Sequence, residues 1–227
     1  MDKRKRFWAF VALRTLANFL IILGIVFAFL SFWPFVKEEL SYRWDRLFGK
    51  ENAIAEVTQG NKESNVEVVK QLPPIKATPV NKDFSIVIEK IKVNAPIIAG
   101  VDSTSYRDYI QALKKGVAHA EGTAVPGSVD KPNNNVFLFA HSTLNFWDVP
   151  KYNAVFFLLR KLEKGDRIVI FYKAKRYDYI VFDKRVVEAN DVKYLTSPSK
   201  DPILTLQTCD PPGTQLRRLI VTAKLDQ

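Results

Sequence analysis

No charged side chain occurs between residues 15 and 36, and that run sets the first constraint on what the chain can fold into. Leu16, Phe19 and Leu20 open its apolar length, and residues 21–23 and 25–30 with Phe32 and Trp33 extend it. A helix rising about 1.5 Å per residue needs about 20 apolar residues to cross a hydrocarbon core of about 30 Å. The chain is therefore expected to begin with one transmembrane helix. Lys3, Arg4, Lys5, Arg6 and Arg14 precede the run, whereas Lys37, Glu38 and Glu39 follow it. That asymmetry places the N-terminus in the cytoplasm and everything after residue 36 outside the membrane. A cleaved signal peptide is the competing reading. The run is long for a signal-peptide core, however, and the bulky residues 29–34 offer no small-x-small cleavage site, so an uncleaved anchor is favoured. Trp8 and Trp33 stand near the ends of the apolar zone, where amphipathic rings suit the membrane interface.

The texture changes twice more. Residues 37–82 are polar and mixed in charge and end on Pro73, Pro74 and Pro79, which reads as an extracytoplasmic spacer with an extended proline-rich end. Its first part, residues 38–48, can continue the anchor as a juxtamembrane helix. From Phe84 onward short β-rich runs follow one another, at 84–88, 91–93, 95–98, 135–140, 167–172, 176–187, 203–209 and 218–225. Many short strands separated by turn residues imply a mainly β barrel or sandwich. Two patches with helical periodicity interrupt them, at 105–115 and 153–162. The expected organisation is a basic tail at 1–14, an anchor at 15–36, a spacer at 37–82 and a folded domain at 83–227.

Charge and cysteine content narrow the function classes. The net charge of +10 is partly the N-terminal basic cluster, and no zinc-ligand spacing or aromatic-basic platform accompanies it, so nucleic acid is not an expected partner. A cationic outer domain suits an anionic membrane or cell-wall surface instead. The single cysteine, Cys209, leaves an exported domain without an internal disulfide, so the fold must rest on its core. A free thiol in that setting is a liability unless it has a use.

Cys209 ends the run Leu204, Thr205, Leu206, Gln207, Thr208, and the turn residues Pro211, Pro212 and Gly213 lead into a second strand from Arg218. Alternation puts Cys209 on the face of Thr205 and Gln207, away from Leu204 and Leu206. The chain has two histidines that can serve as its base. His141 closes the apolar strand ending at Ala140 and opens a polar loop, while His119 lies in a turn segment flanked by Gly116 and Gly122. Arg217 and Arg218 compete as the nearby cation, since adjacent strand residues face opposite ways.

These motifs together resemble the sortase family. Ala140-His141-Ser142, the strand from Leu204 to Cys209 and Arg218-Leu219-Ile220-Val221 occur in that order behind a membrane anchor, and the similarity runs from about residue 84 to 225. The resemblance implies an eight-stranded β-barrel with one or two short helices, carrying a membrane-anchored cysteine transpeptidase. It makes Cys209 the nucleophile, His141 the proton donor and acceptor, and Arg218 the residue that steadies the oxyanion, with Thr208, His119 and Ala140 expected around the substrate. Arg218 is preferred to Arg217 because it directly precedes Leu-Ile-Val. With ordinary values of about 8.5 for a thiol and about 6.5 for an imidazole, the ionised pair is a minority of roughly 1% at neutral pH, and the sequence leaves open whether the site shifts it.

The chain departs from the family at Ala140, usually glycine, and at Ser142, often arginine. Phe146 and Trp147, in the loop 145–150, line a groove, form a lid or simply pack; the region 188–202 should lie beside the groove. No clustered acidic site is evident, so neither metal nor cofactor is expected. The implied partners are surface proteins ending in a Leu-Pro-x-Thr-Gly-like sorting signal, and an amine acceptor from a cell-wall precursor or a pilin lysine. A Cys-His hydrolase on the same scaffold and a membrane-tethered binding module with an inert cysteine are the alternatives.

Overall fold

The computed structural model describes residues 3–48, 74–128, 133–142 and 154–226. It divides into two compact units, one N-terminal and one holding the strands.

The N-terminal unit contains helix α1 (Lys3–Phe48), which continues through the segment expected to be juxtamembrane. Its stretch Phe7–Phe29 is long and apolar enough to cross a membrane. Phe10, Phe19, Ile22, Ile25 and Phe27 are all exposed. Apolar side chains on every side of a helix suit an apolar medium around it. The stretch begins before the charge-free run, so Arg14 falls inside it; a long arginine side chain can lay its stem on apolar surface and extend its head toward water.

Eight strands close the second unit into a barrel: β1 (Phe84–Ile88), β2 (Val93–Val101), β3 (Val117–Ala120), β4 (Asn135–Phe139), β5 (Arg167–Tyr172), β6 (Lys175–Glu188), β7 (Ile203–Asp210) and β8 (Arg217–Leu225), in the order β1-β2-β3-β4-β7-β8-β6-β5. Closure leaves no sheet edge unpaired. Two neighbouring pairs are parallel, β2 with β3 and β4 with β7, and the rest are antiparallel. A parallel pair needs a crossover, and helix α2 (Tyr106–Lys115) makes the one between β2 and β3. Ser105 caps α2 by accepting from the Asp108 amide, and Gly116 ends it against β2, where any Cβ would stand 2.2 Å from the Pro96 carbonyl oxygen.

One face of the strands fills the barrel. Ile86, Ile88, Leu138, Ile168, Ile170, Leu204, Leu206 and Val221 are fully buried. The other face of β1 and β5 presents Val87, Val169 and Phe171, which Ile75 and Ala77 cover. Residues 74–80, expected as the extended end of the spacer, are docked on the barrel. The Lys76 and Ala77 amides donate to Glu89 Oε1, Arg167 donates to the Pro74 carbonyl, and Asn94 bonds both Thr78 and Val80.

Three local readings change. β3 replaces an expected turn, because Val117 to Ala120 is paired on both sides and wholly buried. The helical patch at 153–162 is, in its described part, a run of turns ending in a 3₁₀ turn, Leu159–Lys161. Phe156, Phe157, Leu158, Leu159 and Leu162 are all buried there, so the apolar spacing reflects burial on several sides rather than one helical stripe. The region 188–202 contains a short helix, α3 (Lys193–Thr196).

Candidate active site

Cys209 and Arg218 are cross-strand partners in the β7/β8 ladder. Residues directly opposite in an antiparallel pair project from the same face, so thiol and guanidinium share one side of the sheet. Arg217 opposes Asp210 instead and donates to its carboxylate at 3.3 Å. On the other flank β4 runs parallel to β7, with Phe139 paired to Gln207, and the Ala140 amide donates to the Gln207 carbonyl at 3.2 Å. His141 follows at once, beside the strand end that carries Cys209.

These three residues line a cleft of about 750 Å³. Tyr106 and Tyr109 from α2 form one side, and Val192 and Leu195 of the α3 region contribute to another. Cavities of about 300–1,000 Å³ are the usual size for holding a small ligand or a short peptide segment. The Tyr109 ring meets Tyr106 edge-on at 5.3 Å and Phe139 at 6.4 Å, which holds its phenol near Arg218 and Cys209.

Burial sets the electrostatics. It pushes the Cys209 thiol up, with Arg218 pulling partly the other way, and it pushes the His141 imidazole down. Both shifts favour the uncharged pair. Both side chains are half-buried, and among the described residues neither the Cys209 thiol nor the His141 ring has a hydrogen-bond partner. Arg218 donates from Nη1 to the Gln215 and Arg217 carbonyls at 3.1 and 3.0 Å. A planar guanidinium has further donors on its other nitrogens.

A model of the sortase domain matches residues 86–226, more than half of the chain. The chain belongs to the sortase family. It is 26% identical over 140 residues to Sortase D of Bacillus subtilis (strain 168), a match covering 60% of each chain, so it spans less than two thirds of that relative's length. Sortase C-1 of Actinomyces oris superposes with a TM-score of 0.53 at 30% identity, over 65% of this chain and 76% of that one. A Clostridium perfringens sortase C, solved with the C-terminal cell wall sorting motif, gives 0.51 at 28% identity over 63% and 69%.

Of the residues expected around substrate, the sortase cleft receives Ala140 and Thr208 but not His119. His119 is 4% exposed; its Nδ1 accepts from the Gly100 amide at 3.4 Å and its Nε2 bonds the Ala124 carbonyl at 2.8 Å. Those bonds hold the ring between β2 and the turn after β3. Thr208 is buried and donates to the Ala140 carbonyl at 2.8 Å. Phe146 and Trp147 lie outside the described residues. Sequence reasoning did not bring Tyr109 to the cleft; its signal was its place on the amphipathic α2.

Proposed function

We propose that this sortase is an extracytoplasmic cysteine transpeptidase that cleaves a C-terminal Leu-Pro-x-Thr-Gly-like sorting signal and transfers the acyl fragment to an amine. The observation that carries the reading is the pairing of Cys209 with Arg218 at a cleft that His141 also lines. The sorting motif bound to the Clostridium perfringens relative supports a peptide tail as the substrate class. Helix α1 and the N-terminal basic residues support an anchor with the N-terminus in the cytoplasm.

The chemistry follows from the residue types. Cys209 passes its proton to His141 and attacks the threonine carbonyl, forming a tetrahedral oxyanion that Arg218 stabilises with a charge present at every physiological pH. The imidazolium then gives that proton to the departing glycine amine, which leaves a thioester on Cys209. An incoming amine loses a proton to His141 and attacks the thioester, and the new amide departs as the thiolate recovers the proton. Because burial holds thiol and imidazole neutral, the attacking ion pair is a minority state.

Mass spectrometry of the full-length protein in detergent micelles, incubated with a library of sorting-type pentapeptides with and without an amine, tests this. Cleavage before glycine with an acyl adduct on Cys209, absent in Cys209→Ala and His141→Ala, is the expected result. Resolution of the adduct by water alone in the presence of amine would favour a hydrolase, and no adduct across the library would favour the binding module.

A further inference from the structure

The β4/β7 pairing gives out just before the two residues that must meet. Phe139 opposite Gln207 is the last registered pair, the Ala140 amide makes one further bond, and the His141 carbonyl then turns away to accept from the Phe156 amide at 3.1 Å. Two hydroxyls continue the connection where the ladder stops. Thr208 Oγ1 donates from β7 to the Ala140 carbonyl at 2.8 Å, and Ser142 Oγ donates back to the Cys209 carbonyl at 2.9 Å. The bonds run in opposite directions, and each joins the neighbour of one proposed catalytic residue to the other strand. Both donors are deeply buried, Ser142 at 1% and Thr208 at 4% exposure, so water competes little for either bond.

We propose that Ser142 and Thr208 are positioning residues that set the alignment of His141 with Cys209. Ser142 anchors the chain after the histidine directly to the backbone of the cysteine, and Thr208 anchors the residue before the histidine to the residue before the cysteine. The His141 ring and the Cys209 thiol have no hydrogen bonds of their own among the described residues, so their relative placement rests on the backbone these bonds fix. Proton transfer between them depends on separations of a few tenths of an ångström, and a displacement of about 1 Å can cost about 100-fold in rate.

The inference rests on the catalytic reading above, and its test separates the two. Full-length wild-type protein, Ser142→Ala, Ser142→Thr and Thr208→Val are compared in micelles by two readouts: the pH profile of Cys209 alkylation by iodoacetamide, and steady-state transpeptidation of a peptide that the wild type cleaves. Ser142→Ala is expected to lower kcat about 10- to 100-fold with KM within about twofold, and to change the alkylation profile, while Ser142→Thr, which keeps the hydroxyl, recovers most of the rate. Thr208→Val preserves volume and decides the case if Ser142→Ala fails to fold; the same kcat-selective loss is expected. Wild-type kcat and an unchanged alkylation profile in a folded hydroxyl-less variant would overturn the inference. An inactive wild type would instead overturn the transpeptidase reading, and the alkylation profiles would still report whether the hydroxyls set the environment of Cys209.

Discussion

The barrel holds two clusters of polar side chains, and they are treated in opposite ways. In one, Asp178 is 1% exposed on β6 and receives Arg176 at 2.7 and 2.6 Å, while Arg167 binds Glu89 at 3.1 Å. Burial works to raise the Glu89 carboxyl, but the Lys76 and Ala77 amides and Arg167 outweigh it and hold that carboxyl below its ordinary range. Each described acid there is engaged by a base or an amide. In the other, Cys209 and His141 are half-buried and line the same cleft as Arg218, with no hydrogen bond between these side chains among the described residues. The first cluster satisfies its charges internally and thereby fixes the strap 74–80 and the β5/β6 hairpin. The second leaves thiol, ring and part of a guanidinium facing a cleft, which is sensible only if something else completes them.

Breaking the two clusters should therefore have different consequences. Cys209→Ala and His141→Ala should each lower amide exchange by at least about 1,000-fold while the thermal midpoint changes little; product formation by mass spectrometry and a melting curve check both. Asp178→Ala should do the reverse. It removes the buried carboxylate that Arg176 and Arg167 engage, so urea denaturation should show a loss of about 3 kcal/mol, with the kcat of the folded fraction retained. Arg218→Gln should reduce kcat/KM about 100-fold, whereas Arg217→Ala, which breaks only an exposed ion pair, should stay within about twofold.

The pH profile sharpens the contrast. In the proposed mechanism the active thiolate-imidazolium form is a constant minority between the two pKa values; it is lost below the lower one as the thiol stays protonated beside a charged ring, and above the higher one as the ring loses its proton. Burial lowers His141 and raises Cys209, so the plateau of kcat/KM should be wider than ordinary imidazole and thiol values would give. Arg218 opposes the rise at Cys209, so the alkaline limb of the residual activity in Arg218→Gln should move further up.

Much of the fold was legible because its signals are local. Residues 84–88, 167–172 and 203–209 are runs of β-branched and apolar side chains between turn residues, and all appear as strands. The patch with helical periodicity at 105–115 appears as α2. β3 was not legible, because four buried residues between glycines show no alternation, and only pairing with β2 and β4 makes Val117 to Ala120 a strand. The strap was missed for the same reason. Polar and proline-rich residues look like linker until the outer face of β1 and β5 supplies something for Ile75 and Ala77 to cover.

The sequence by itself determined the apolar N-terminal helix, the mainly β class, and the residue types of the site with their order along the chain. These follow from composition, periodicity and short motifs, which act over a few residues. The tertiary structure decided which arginine stands opposite Cys209, removed His119 from the cleft, and joined Ser142 to the Cys209 backbone. Those outcomes depend on strand register and on pairings between segments up to 67 residues apart. A one-residue slip in register would turn Arg218 to the other face, and no local pattern fixes that choice; barrel closure does.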